Sequence, residues 1–374
     1  MSNKNELMQI PHEILKETYT AGMEAAEKNR SGTIYHVDQS TVYSKVNKLF
    51  QGKIELMDTK KALERYSWLK DYMWKLVAKN KDDYTGKVAE NWSGGYFMRI
   101  MPGVEITFPL QSCLLITKRN LEQRVHNIII AEEGSKSHII TSCVQHSSVP
   151  EATHLGVSEI YVKKNAMLNF TMIHQWSENT LVRPRSAAEI GDKAKFVSNY
   201  VCMRPVRNVQ MYPTAFCEGS ESTVSFNSIL YGHKNSLMDI GSKAVLTGKG
   251  SKAEMISRAI AREGSKMLIR GFIEGSNADC KGHLECRGLL IDDEAFLQSI
   301  PELIARKKGV EITHEAAVGK ISEREITYLM TRKLSRDQAV SLIIRGFMDV
   351  GILGLPEALN SEIKRIVEAS AEAD

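Results

Sequence analysis

One short turn returns along the middle of this chain at roughly regular intervals. Glu-Gly-Ser begins at Glu133, Glu218, Glu263 and Glu274, and Gly-Ser-Lys at Gly134, Gly241, Gly250 and Gly264. Several of these turns are about 22 to 31 residues apart, the spacing of stacked repeats. Glycine suits a tight corner because the positive φ used there penalises a side chain. Between the turns lie short runs rich in Val, Ile, Thr and Phe, such as Asn127 to Ile130, His138 to Ser142, Ser158 to Val162, Met167 to Met172 and Met267 to Phe272. No helical period runs through them. A single rung of this kind cannot bury its inner face, whereas stacked rungs share one core. The stretch from about Trp92 to residue 313 therefore predicts a β-solenoid. An irregular β-sandwich is the alternative that an imperfect repeat leaves open.

The flanks read differently. Residues 5 to about 90 suggest helix, from Leu7, Ile10, Ile14 and Leu15 and more strongly from Leu63, Tyr66, Leu69, Tyr72, Met73 and Leu76. After Glu315, the segments Ser322 to Glu325 and Ser335 to Gln338 both fit a capping box. The second should open a helix with Val340, Ile343, Ile344, Phe347 and Met348 on one stripe, stopped by Gly354 and Pro356, where another begins. The expected organisation is an N-terminal helical region over 1–92, a β core over 93–313 and a C-terminal helical region over 314–374.

Charge and motifs narrow the function. The net charge is only +4 across 374 residues, with no basic face, so no nucleic-acid partner is expected. No run approaches the roughly 18 apolar residues of a membrane span. The polar start at Met1 lacks the apolar stretch of a signal peptide. A cytoplasmic protein is expected. No phosphate-binding loop is present, and Val318 stands where a zinc-protease pattern beginning at His314 would need its second histidine. Asp292, Asp293 and Glu294 read as a solvated turn rather than the paired carboxylates of a sugar hydrolase. A non-enzymatic role fits best, with a β-solenoid interaction module and a carbohydrate-active β-helix as the competing classes.

Six scattered cysteines do not form a disulfide framework. Cys280, His283 and Cys286 offer thiolate and imidazole donors, which suit zinc or an iron–sulfur cluster. On a strand, however, the two cysteines would lie about 20 Å apart, with His283 on the other face. Strand parity offers more. Leu284, Cys286, Gly288 and Leu290 share one face, as do Ile139, Thr141 and Cys143, so both cysteines can point into an apolar interior. Simple burial is the ordinary role of a free cysteine.

An ordered set of segments adds to this reading. Leu284 to Leu290 reads Leu-Glu-Cys-Arg-Gly-Leu-Leu, and Ile312 to Ala316 reads Ile-Thr-His-Glu-Ala, followed by Val318 to Ile321. Upstream stand Gly95 to Phe97, Pro102 to Val104, Pro109 to Gln111, Ala131 to Ser135 with Cys143, Val157 to Ile160, and Gln175-Trp176. Downstream come Ser322 to Arg332, Asp337 to Ala339, Arg345 to Phe347 and Leu355-Pro356. Together, over roughly residues 65 to 360, the chain resembles the SufB/SufD family of iron–sulfur cluster assembly scaffolds.

That resemblance implies a right-handed parallel β-helix flanked by helical regions. It implies a transient iron–sulfur cluster built on Cys286 with Glu315 and His314, and sulfur arriving at Cys143. His283 and Glu285 are reserve ligands. It implies a SufC-like ABC ATPase docked on the C-terminal helices, a cysteine desulfurase as sulfur donor, and apo iron–sulfur proteins as recipients. Pro301 to Val310 is more like SufD, while Cys286 and Glu315 are like SufB, and Ile312 occupies the place of a SufD cysteine. The blend suggests a homodimer in place of the SufB–SufD pair.

Overall fold

The computed structural model describes residues 12–23 and 29–348. The strands form the two walls of a β-solenoid of about eight turns. In spatial order the first wall holds β2 (Ser40–Val46), β1 (Gly32–Val37), β5 (Leu110–Ile116), β7 (Lys136–Gln145), β9 (Met167–Gln175), β11 (Lys195–Cys202), β14 (Thr223–Gly232), β16 (Lys252–Ala261), β18 (Lys281–Leu290) and β20 (Glu311–Lys320). The second runs from β3 (Ile54–Asp58) through β4 (Tyr96–Ile100), β6 (Glu122–Ala131), β8 (Ala152–Val162), β10 (Thr180–Ile190), β12 (Asn208–Met211), β15 (Leu237–Leu246) and β17 (Lys266–Gly275) to β19 (Phe296–Ala305). Beside β12, β13 (Thr214–Cys217) also bridges β10 and β15. Among the described residues only the β1–β2 and β3–β4 pairs are antiparallel; the other ladders are parallel.

One corner explains the repeat. Gly134, Asn165, Lys193, Glu221, Gly250, Asp279 and Gly309 all take positive φ, between 54° and 88°. Each of the first five donates its N–H to a carbonyl at the corner of the next rung. The residue after each of the first six is small and buried: Ser135, Ala166, Ala194, Ser222, Ser251 and Cys280. Not every Gly-Ser-Lys is such a corner. Gly241 lies inside β15, where a Cβ would meet the Arg270 carbonyl at 2.5 Å, so it is glycine for close approach.

The flanks partly correct the helical reading. Helices α1 (His12–Thr20), α2 (Thr59–Arg65) and α3 (Asp83–Glu90) are present, but residues 32–58 hold three strands that cap the first turns. The stripe from Leu63 to Leu76 is not one helix. It breaks at Tyr66, which is extended, and continues as a 3-10 turn, Ser67–Asp71. Its aromatic rings instead cover the outer face of the second wall, against Phe97, Ile128, Ile130 and Tyr161. Helices α4 (Glu323–Thr331) and α5 (Arg336–Met348) follow β20, which carries the β structure on to Lys320. The Ser335–Gln338 capping box forms in both directions, whereas the Ser322 side chain makes no cap bond. Val340, Ile344 and Met348 pack on the outer face of the first wall with Ile140, Ile173, Val201, Ile229, Ile260 and Leu289. The turn expected at Gly354 and Pro356 lies outside the described residues. No described helix is long and apolar enough to cross a membrane.

Candidate functional site

Register converts strand parity into rows. Along the lumen side of the first wall, Ser112, Thr141, Met172, Tyr200, Ser228, Ser257, Cys286 and Ala316 occupy matching positions on successive strands. Two residues further along each strand runs a second row in which Cys143, His174 and Cys202 are consecutive. Both cysteines singled out in the sequence therefore face the interior, and both join the central apolar cluster. They are five strand spacings apart, about 24 Å along the solenoid.

Hydroxyls line much of the way between them. On the strand of Cys143 the Thr141 hydroxyl meets Ser112 and Tyr96, on the side away from Cys286, at 2.7 and 3.0 Å. A narrow internal cavity opens between Met172, Ser198, Tyr200, Ser228 and Ser257 of the first wall and Ser186, Thr214 and Ser242 of the second. Ser228 donates to Ser257 at 2.9 Å, and Ser257 stands in register beside Cys286. An apolar core needs none of these polar groups, and buried hydroxyls persist only where they find partners.

At the Cys143 end the interior is rich in titratable groups held neutral. Burial raises the Cys143 thiol far above its usual range and pushes Cys202 up to about 12. Burial lowers His174 strongly and His154 to about 3, with His154 adding to the depression of His174 and His36 to that of His154. The Tyr200 hydroxyl meets His174 Nδ1 at 2.9 Å, and His154 Nδ1 donates to Gln123 Oε1 at 2.9 Å.

At the far end the expected ligands divide. Cys286 is 4% exposed, its thiol raised by burial and drawn partly back by Ser299. His314 lies in register with Leu284 and so shares the lumen side. It is exposed because β20 is the last strand of its wall. His283, Glu285 and Glu315 take the opposite parity and face outward. His283 Nδ1 meets Thr313 Oγ1 at 2.9 Å, and Glu285 is ion-paired to Arg258 at 2.5 Å and Arg287 at 2.8 Å. His314 and Glu315 sit mid-strand rather than at a strand end, so the wall itself separates them. Cys280 is elsewhere again, at the corner, with its thiol toward the Gly248 carbonyl. Among the described residues no group of three His, Cys, Asp or Glu is placed to hold a metal ion.

Sequence reasoning missed His174, Tyr200, Ser228 and Ser257 and left Cys202 to core packing. The signal that reaches them is the repeat length itself. Stepping 31 and then 28 residues from Cys143 lands on His174 and Cys202.

Comparisons with known proteins bear on the family. The family model described as "SUF system FeS cluster assembly, SufBD core domain" matches residues 114–347. An iron–sulfur cluster assembly SufBD family protein of Methanothermobacter thermautotrophicus is 46% identical over 366 residues, covering 97% of this chain and 88% of that protein. One from Archaeoglobus fulgidus is 45% identical over 374 residues, covering 100% and 98%. One from Staphylococcus aureus is 27% identical over 371 residues, covering 97% and 79%.

Proposed function

We propose that this chain, which belongs to the SufBD family of iron–sulfur cluster assembly proteins, is a scaffold that receives sulfur at Cys143 and passes it through the solenoid interior to Cys286. The observation that carries this reading is the row of hydroxyls and the cavity that lie between two inward-facing thiols. Cys286 and His314 share the lumen side at the open end and hold the nascent cluster, which is cargo to be handed to apo-proteins. Thiolate with imidazole binds iron without the permanence of a four-cysteine site. Glu315, beside Glu285 on the outer face, supplies a hard carboxylate for iron on its way to that site.

The open end also suits a second copy of the chain. Among the described residues β20 pairs only with β18, and β19 only with β17, so both walls end in unpaired edges. Such an edge is a template for another strand. Two copies joined there would turn two sets of Cys286 and His314 toward one lumen. The exposed side of α4 and α5, with Tyr328, Met330 and Leu342, is the docking face for a separate ABC-type ATPase, and a cysteine desulfurase supplies sulfur.

The test is anaerobic reconstitution with iron and sulfide, following charge-transfer absorption and iron content. Wild type should gain a cluster and Cys286→Ala should not. Equal gain by both would remove Cys286 from the role.

A further inference from the structure

One hydrogen bond bears on the tautomer of His174. Burial keeps the Tyr200 phenol protonated and the His174 imidazole neutral. With the two atoms 2.9 Å apart, the phenol can donate to Nδ1, and in that tautomer Nδ1 carries no hydrogen. The ring's own proton then sits on Nε2, which has no partner although the residue is only 1% exposed. A buried donor left unmatched is destabilising, and native interiors rarely keep one without a use. Register supplies its neighbours: Cys143 on one adjacent strand and Cys202 on the other, all three facing the lumen.

We propose that His174 is a sulfur-binding residue, its Nε2–H the donor that holds the terminal sulfur anion of a persulfide carried on Cys143. This rests on the reading of Cys143 as the acceptor. In the step, the Cys143 sulfur attacks the outer sulfur of a donor persulfide, forming one S–S bond as the donor's breaks. The departing donor thiolate takes the proton lost by Cys143, and no net oxidation occurs. A neutral thiol is at ease in this apolar wall, but a persulfide anion needs a hydrogen-bond donor there. Tyr200 acts through His174 as a positioning residue that fixes the tautomer.

The test uses the full chain, with glutathione persulfide as donor under anaerobic conditions. Sulfur on Cys143 is followed in time by thiol trapping and peptide mass spectrometry. The variants are Cys143→Ser, His174→Gln, which restores a side-chain N–H, and His174→Leu with Tyr200→Phe, which leaves no orphaned hydroxyl. Wild type and His174→Gln should hold the extra sulfur, while the double variant should lose it about ten-fold faster or more. Thermal unfolding checks that each variant is folded. Equal lifetimes in wild type and the folded double variant would overturn the proposal, as would loss in the folded His174→Gln as fast as in the double variant. If wild type takes no sulfur at Cys143, it is the reading of Cys143 that fails.

Discussion

Glu285 and Glu315 stand side by side in register on the last two strands of the first wall, and both face away from the lumen that Cys286 faces. A carboxylate on the outer face and a thiol on the inner one cannot grip the same iron through the wall. Their substitutions should therefore behave differently. Cys286→Ala should abolish cluster formation, whereas Glu315→Gln should slow iron uptake and raise the iron concentration needed, with the same final cluster spectrum. Titrating iron against absorbance checks this; identical loss in both variants would place the two residues at one site.

The open edge makes a second prediction. Val318 lies on β20 and is 42% exposed. A charge there opposes strand addition without touching the buried core. Val318→Lys should shift the proposed dimer to monomer in light scattering while leaving the unfolding midpoint nearly unchanged.

Glu159 anchors the N-terminal covering segment. Its fully buried carboxylate accepts from the backbone N–H groups of Trp74, Leu76 and Val77 at 2.5, 2.6 and 3.2 Å, and meets His126 Nε2 at 2.8 Å. Truncation leaves three amides and an imidazole without their acceptor. Glu159→Ala should cost about 3–5 kcal/mol in denaturant unfolding, and proteolysis should then cut first near residues 66–78.

Stability should fall on both sides of neutrality. Burial lowers His36 and His233 to about 4 and His154 to about 3, from an ordinary 6.5. The unfolded chain takes up these protons below pH 6.5 and the folded chain does not, so stability is full above that value and declines as pH falls toward 4. Burial also pushes Cys202 and Cys217 up to about 12 from an ordinary 9.0. The unfolded thiols ionise first, so stability declines as pH rises from about 9 toward 12. Thermal unfolding should show a plateau between about pH 6.5 and 9, and His154→Gln should flatten its acid side.

The solenoid was legible because its corners leave a mark in the sequence, but only some of them do. Asn165, Lys193, Glu221 and Asp279 take the same positive φ as Gly134, Gly250 and Gly309 without being glycine, so more than half of the ladder is hidden. Parity correctly turned Cys143 and Cys286 inward, since a strand's two faces follow from counting. It could not bring His174 or Tyr200 to them, because neighbours in a solenoid are set by rung length, which varies from 27 to 31 residues. The strands over residues 32–58 escaped notice because they are short, and two of their pairings are antiparallel. The aromatic stripe after Leu63 imitates a helix because it covers a sheet with similar spacing.

The most direct measurement follows a labelled sulfur atom. Cys143 is loaded with labelled persulfide sulfur, and its arrival at Cys286 is read by peptide mass spectrometry in wild type, in Cys143→Ser and in Ser228→Phe, which fills the cavity between them. The account predicts label at Cys286 in wild type, none when Cys143 is removed, and label stranded at Cys143 when the cavity is filled. Label reaching Cys286 equally in all three would mean that sulfur does not travel through the interior.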